Sequence, residues 1–524
     1  MGDELAKITA DSAKGSFFLI SGTAMSTVIL AITSIIVARF LGPELYGQYN
    51  LSLVIPNLLF LIADLGISQG IIKFTANFNL RAETNRIAGI VKNLLMVKAL
   101  IGAAIFLVNY VFADVFASFF FQRPELAPYI RIGSTAVLFQ VMYTTAISLF
   151  VGLDKTQYNA LATNIQSIAK GIFSVLLIVL GFGLAGALAG HVIGYVAATV
   201  FGILVFIPII RKRDNSIEKS STVGDLKLMI SYSVPLYIAI LLAGFAPFYQ
   251  SVVLAVFTTD VAIGNYRAAA NFLALLAIIS GPITTALLPA FSKLDSSPKQ
   301  KIKAFFKLAN KYTALIIVPA TILIMTLSEE IVQAVYGSTY TLASAFLTTF
   351  CLTYLLVGIG YLTLPSLYNG LGDTKTTLKM GMVTFGVLLI LSPLLTKFFS
   401  VQGLIVAAIA ATAAGTTYGT ILARRKLQIE FAGTAILKIY VLSAVSSIVP
   451  FLIVRLLPIS VFFKIIIGGS MYMFVYLTLI PLTKTMTKPE VQKAIEIVQR
   501  IRFLKLLLIP ILKYQQKLSN TQQI

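Results

Sequence analysis

Long apolar blocks separated by short polar segments run through the 524 residues. Each block is about 20 residues or longer, the length at which a helix crosses about 30 Å of hydrocarbon. The pattern predicts spans near 17–38, 49–70, 88–112, 132–152, 158–180, 184–210, 229–256, 262–289, 312–327, 342–369, 377–396, 402–422, 436–457 and 463–483. The expected fold is an all-α integral membrane protein with about 14 transmembrane helices. Met1 to Lys14 is polar and the first block runs on to about Val37, so no cleavable signal peptide is expected.

Composition agrees with that picture. The chain is 58% hydrophobic and 12% charged, half the charge of a soluble domain, with mean hydropathy +0.90. Its net charge of +21 would suggest nucleic acid in a soluble protein, but the distribution argues against that partner. Thirty-two of the 41 Lys and Arg lie in alternate connecting segments and six in the others. The positive-inside rule then puts both termini in the cytoplasm of a multi-pass cell-membrane protein, with the basic excess facing anionic lipid headgroups. The tail from Lys488 to Lys517 mixes bases with Ile495, Ile501, Leu506 and Ile509. It reads either as an amphipathic helix on the inner leaflet or as a frayed tail.

The chain also repeats. At an offset of 217, Ala38, Phe40, Gly47 and Tyr49 fall on Ala255, Phe257, Gly264 and Tyr266; at 218, Leu149, Gly152, Leu153 and Thr156 fall on Leu367, Gly370, Leu371 and Thr374. Two matches at nearly one offset imply a duplication of six spans. The expected domains are a six-helix bundle at 1–210, a cytoplasmic linker at 211–228, a second bundle at 229–422, two extra helices within 436–483 and a basic tail at 484–524. An even number of spans per half relates the halves by an axis along the membrane normal, with the substrate between them.

Polar residues at membrane depth are costly and mark cavities or partners. Asn159, Thr163, Gln166, Lys170 and Ser174 recur at three- and four-residue spacing on one helical face. Lys170 lies about 20 Å deep at 1.5 Å per residue, too deep for easy snorkelling. It lines a cavity or is paired in a helix–helix seam. Tyr46, Asn50, Asn57, Asp64 and Ser68 form a second stripe, in which Asp64 serves a gate, a packing ion pair or ion coupling. Arg267, with Asn271 one turn on, either faces a lumen or snorkels, and the same alternatives hold for Lys98. Gln140, Thr144 and Ser148 extend the polar set, and the single His191 reads as a hydrogen-bonded structural group. Three deep cations against one acid favour an anionic cargo, and a diphosphate suits Lys and Arg donors.

Other chemistry finds little support. Gly181-Phe-Gly183-Leu-Ala-Gly186 fits a dinucleotide-binding pattern but has no strand before it. No Walker A sequence is present and no cofactor is expected. One histidine and one cysteine leave no His/Cys metal site, and Cys351 alone forms no internal disulfide.

Ala38-Arg39-Phe40-Leu41-Gly42-Pro43, Tyr46-Gly47 and Asp64-Leu65-Gly66 resemble the opening of the polysaccharide-exporting branch of the multidrug/oligosaccharidyl-lipid/polysaccharide flippase superfamily. Leu149–Asp154 and Leu367–Asp373 fit its half-repeats. The resemblance implies two pseudo-symmetric six-helix bundles plus two C-terminal helices, as in multidrug and toxin extrusion transporters. It further implies a cationic lumen and alternating access for a polyprenyl- or dolichyl-diphosphate oligosaccharide or polysaccharide precursor, with glycan-assembly enzymes as candidate partners. By position, Arg267, Lys170 and Lys98 would contact the diphosphate, with Asn50, Asn57, Gln140, Asn159, Gln166 and Asn271 lining the lumen. No acidic residue lies in the first span, where the drug-exporting branch carries a cation-binding carboxylate. An ion-coupled small-molecule exporter of the same superfamily and a membrane-embedded glycosyltransferase or polymerase remain the alternatives.

Overall fold

A computed structural model describes the chain except Met1, Leu65, Ala82, 212–236, 238–240, 242–243, 500–501 and 522–524. The expected linker, 211–228, and the start of the seventh predicted span therefore lie almost wholly outside the described residues. The described chain is helical throughout, without strands. Unit 1 contains α1 (Gly2–Ser52), α2 (Val54–Asp64), α3 (Ile67–Leu80), α4 (Thr84–Val111), α5 (Ala113–Phe121), α6 (Ala127–Gly152), α7 (Thr156–Leu177) and α8 (Gly183–Arg211). It also takes α9 (Gly244–Phe257) and the first turn of α10 (Asp260–Ser292), ending at Gly264. Unit 2 holds the rest of α10 and then α11 (Lys299–Thr326), α12 (Ser328–Tyr336), α13 (Ala343–Leu355), α14 (Thr363–Gly370) and α15 (Thr374–Leu427). It closes with α16 (Gly433–Leu456), α17 (Val461–Leu482), α18 (Lys488–Gln499) and α19 (Arg502–Thr521).

Among the described residues nine helices are long and apolar enough to cross a membrane, or ten with the bent pair α13–α14. Three of them run 50, 55 and 54 residues, far beyond one bilayer thickness at 1.5 Å per residue. Each is folded back at a non-helical residue: Gly42 (φ 70°), Gly181 (φ 93°) and Ser400 (φ 53°). Read as two spans each, and with the shorter apolar helix α9, these are consistent with fourteen. The Gly42–Pro43 break explains the motif: glycine takes the left-handed turn and proline opens the next helix, where no amide donor is needed.

The duplication is visible in local structure. Gly152 at the end of α6 sits so close to α3 that a Cβ would come within 3.0 Å of the Ile72 carbonyl oxygen. Its counterpart Gly370, ending α14, would meet the Leu288 carbonyl at 2.8 Å. Two residues further on, Asp154 (φ 56°) and Gly372 (φ 73°) both turn left-handed, and Thr156 and Thr374 each open the following helix.

The core of unit 1 gathers Ile71, Val91, Leu149, Phe150 and Phe206, all fully buried. The helices are drawn together by small residues, as is common where lipid supplies no hydrophobic contrast. Gly190 of α8 approaches the backbone of Ser174 on α7 too closely for any side chain, and Ser26 of α1 hydrogen-bonds Ser167 of α7. In unit 2, Phe291, Phe306, Leu364 and Leu367 form one fully buried cluster. The basic tail is ordered as α18 and α19. Lys311 of α11 bonds Glu490 of α18 at 2.8 and 2.9 Å, and Gln515 of α19 donates to the Leu477 carbonyl of α17 at 3.2 Å.

Candidate functional site

The polar stripe on α7 separates into two parts. Asn159 donates to the Ile147 carbonyl of α6 at 3.2 Å, and Ser174 to the Ala187 carbonyl of α8 at 3.1 Å. Thr163 takes a hydrogen bond from Tyr143 at 3.3 Å, and Gln166 is buried. These side chains stitch α7 to its neighbours. Lys170 differs: it is half-buried, and no hydrogen bond or ion pair reaches it among the described residues. A buried ammonium is costly without partners, and this one stands half-buried on the polar face of α7.

An aromatic wall stands beside it. His191 of α8 lies within electrostatic range of Lys170, is 7% exposed and has no partner for its Nδ1 among the described residues. Its ring meets Tyr195 edge-on at 5.2 Å, and Tyr195 meets Tyr143 at 5.6 Å. Tyr46 and Tyr49 of α1 stack at 6.1 Å, with Ser34 and the Tyr46 hydroxyl 2.8 Å apart. Tyr143 and Tyr195 were passed over in the sequence because tyrosine is neutral and common. The available signal was periodicity, since His191 and Tyr195 share a face at four-residue spacing on the glycine-rich α8.

Lys98 neither lines a lumen nor snorkels. It is 1% exposed, and its Nζ lies 3.2 Å from Asp64 Oδ1 and 2.9 Å from the Asp64 carbonyl oxygen. Ser68 donates to the same carboxylate at 2.5 Å. The helix break after Asp64 frees carbonyls that the lysine satisfies, so the pair ties α4 to the α2–α3 corner. Asn50 donates to the Tyr46 carbonyl of its own helix at 2.7 Å. Asn57 is exposed and Gln140 half-buried. In unit 2, the Arg267 guanidinium lies 5.8 Å from the Tyr266 ring centroid, and Asn271 donates to the Tyr336 hydroxyl at 3.0 Å.

One ionic cluster escaped the sequence reading. Arg123, between α5 and α6, bonds Asp260 at 2.5 Å and the Thr258 carbonyl at 2.6 Å, and also the Ala255 carbonyl. Gln48 donates to the other Asp260 oxygen at 2.9 Å. One guanidinium thus closes the end of α9 and the start of α10. Among the described residues no group of three or more His, Cys, Asp or Glu side chains is placed to hold a metal ion.

These elements define a class: all-helical, multi-pass membrane proteins whose long apolar helices are broken at left-handed residues. The solved structure of "Lipid II flippase MurJ, inward closed conformation" is similar at TM-score 0.69 and 18% identity, covering 88% of this chain and 97% of that one. An inward-facing multidrug resistance MATE family transporter is similar at 0.61 and 16%, covering 78% and 98%. A transporter of the superfamily from Pyrococcus furiosus, whose description reports reversed polarity of its binding pocket, is similar at 0.52 and 16%, covering 80% and 95%. Comparison with curated proteins finds no match. Residues 12–295 match the family described as polysaccharide biosynthesis protein, more than half of the chain, and the chain belongs to that family.

Proposed function

We propose that this protein translocates a lipid-linked oligosaccharide or polysaccharide precursor across the cell membrane by alternating access. The observation that carries the reading is Lys170, a cation midway along α7 with no counter-ion among the described residues. A cation in that position favours a multiply charged anion, and the diphosphate of a polyprenyl- or dolichyl-linked glycan supplies several acceptor oxygens. The adjoining Tyr143, Tyr195 and His191 offer rings and polar tips to the first sugar. The family and the flippase named among the similar folds support the same direction.

Arg267 stays in the proposal as a separate cationic contact on unit 2. Lys98, occupied by Asp64, acts as a latch on the α2–α3 corner. Asn57 and Gln140 keep lumen-lining roles. Both termini are placed on the cytoplasmic side, following the basic segments. Reconstitution tests the reading: purified protein in vesicles should carry an extracted lipid-linked oligosaccharide from one leaflet to the other faster than empty vesicles. Equal rates would reject it.

A further inference from the structure

Unit 2 contains a cavity of about 530 Å³ between the end of α10 and α14, within the ordinary range of ligand sites, about 300–1,000 Å³. Its polar wall consists of Thr284, Thr285, Tyr361, Ser366 and Asn369, and none of its lining residues carries a charge. The backbone is broken where the cavity opens. The helices Ala343–Ile359 and Thr363–Gly370 meet at a 48° bend, Gly360 is left-handed (φ 98°), and Pro365 has no amide proton to offer the Tyr361 carbonyl. Broken backbone inside a membrane span is tolerated where it lines a cavity, and broken spans are where transported substrates bind.

The hydrogen-bond inventory specifies the ligand. Thr284 and Thr285 both spend their hydroxyl protons on the Gly281 carbonyl at 2.9 Å. Ser366 spends its proton on the Thr284 carbonyl at 3.2 Å. Three hydroxyls therefore present lone pairs only. Asn369 accepts from Thr377 at 2.8 Å, which leaves its amide protons as donors, and the Tyr361 hydroxyl has no hydrogen-bond partner among the described residues. A largely apolar wall with three acceptor hydroxyls and no cation offers phosphate no counter-charge. It suits a neutral polyol, whose many O–H groups are donors, with the tyrosine ring available to a sugar face.

We infer that this cavity is a subsite for an uncharged sugar unit of the cargo, distinct from the cationic Lys170 that takes the diphosphate. The inference rests on the proposed function. Two measurements separate them. The first is leaflet transport of the lipid-linked oligosaccharide extracted from the protein's own source membranes, against the same carrier diphosphate stripped of its glycan. Asn369→Leu and Tyr361→Phe should each raise the apparent KM for the glycan-bearing lipid about five- to tenfold, the equivalent of one hydrogen bond, and leave the stripped lipid unchanged. Equal effects on both lipids, or none on either, overturn the subsite. The second uses the absence of tryptophan from the chain. A Leu288→Trp variant, at a lining position to which no ligand contact is assigned, reports from this cavity alone, even in a protein that transports nothing. Its fluorescence should change saturably with the released water-soluble glycan and not with inorganic pyrophosphate. No saturable change with the glycan, or the same change with pyrophosphate, overturns the inference.

Discussion

Gly47 and Gly264, equivalent positions of the duplicated sequence, meet face to face. A Cβ on Gly47 would collide with the Asp260 carbonyl and approach the Gly264 amide nitrogen to 3.1 Å; a Cβ on Gly264 would collide with the carbonyl of Pro43. Pro43 and Asp260 are themselves equivalent, again 217 positions apart. The contact is thus self-complementary, each segment pressing on the other in the same way, as at a two-fold axis. Gly47→Ala should cost about 1–3 kcal/mol, because the obstacle is backbone and cannot rotate away. Thermal unfolding in detergent would show it as a lower midpoint, and an unchanged midpoint would refute the close approach.

The Asp64–Lys98 pair is predicted to be strongly coupled. Asp64→Ala strands an ammonium that is 1% exposed and should destabilise by about 3–5 kcal/mol. Lys98→Met leaves the more accessible carboxylate and should cost less. Asp64→Ala combined with Lys98→Met should recover part of the loss, giving a coupling of about 1–3 kcal/mol in a double-mutant cycle. Additive losses would mean that the pair does not interact.

Arg123 holds three carbonyls, of Phe121, Ala255 and Thr258, and a carboxylate with one planar fork. Lysine cannot reproduce that geometry. Arg123→Lys and Arg123→Ala should both speed amide hydrogen exchange across 255–264, with the alanine variant faster. Exchange unchanged in both would show that the guanidinium does not hold the α9–α10 turn.

The attachment of the tail should depend on pH. Desolvation pushes the Glu490 carboxyl up, but the Lys311 ammonium and the Thr487 amide and hydroxyl outweigh it and hold it below its ordinary value. Thr487 donates through its amide and hydroxyl at 2.8 and 3.0 Å, the glutamate-to-amide half of a capping box at the start of α18. A carboxylate with a depressed value in the folded state stabilises fully above its unfolded value and loses that contribution as pH falls through the folded one. Exchange protection of α18 should therefore persist from neutral pH down to about 4.5, the usual glutamate range, and fall below it. Glu490→Gln should weaken the protection and flatten this dependence. The same acid sensitivity in that variant would point to another group.

The all-helical fold with many apolar spans was legible because it rests on length and periodicity, which single residues rarely obscure. The three long kinked helices match predicted pairs of spans since Gly42, Gly181 and Ser400 each mark a turn. Side-chain roles were less legible. Lys98 looked like a lumen cation because spacing gives depth but not direction; only the break after Asp64 explains why its ammonium turns back on that corner. Arg123 and Asp260 lie too far apart in sequence to suggest a pair. The capping box from Thr487 to Glu490 could have been read, whereas its link to Lys311 could not. The uncharged cavity around Asn369 gave no signal because none of its lining residues carries a charge.

Lys170 carries the central claim, and leaflet transport of an extracted lipid-linked oligosaccharide in proteoliposomes tests it most directly. Lys170→Ala should lower the rate by at least about tenfold, the scale of one charge-assisted hydrogen bond. Lys170→Arg should restore much of it, and the thermal midpoint of each variant should stay near that of the wild type. Undiminished transport by Lys170→Ala would contradict the account.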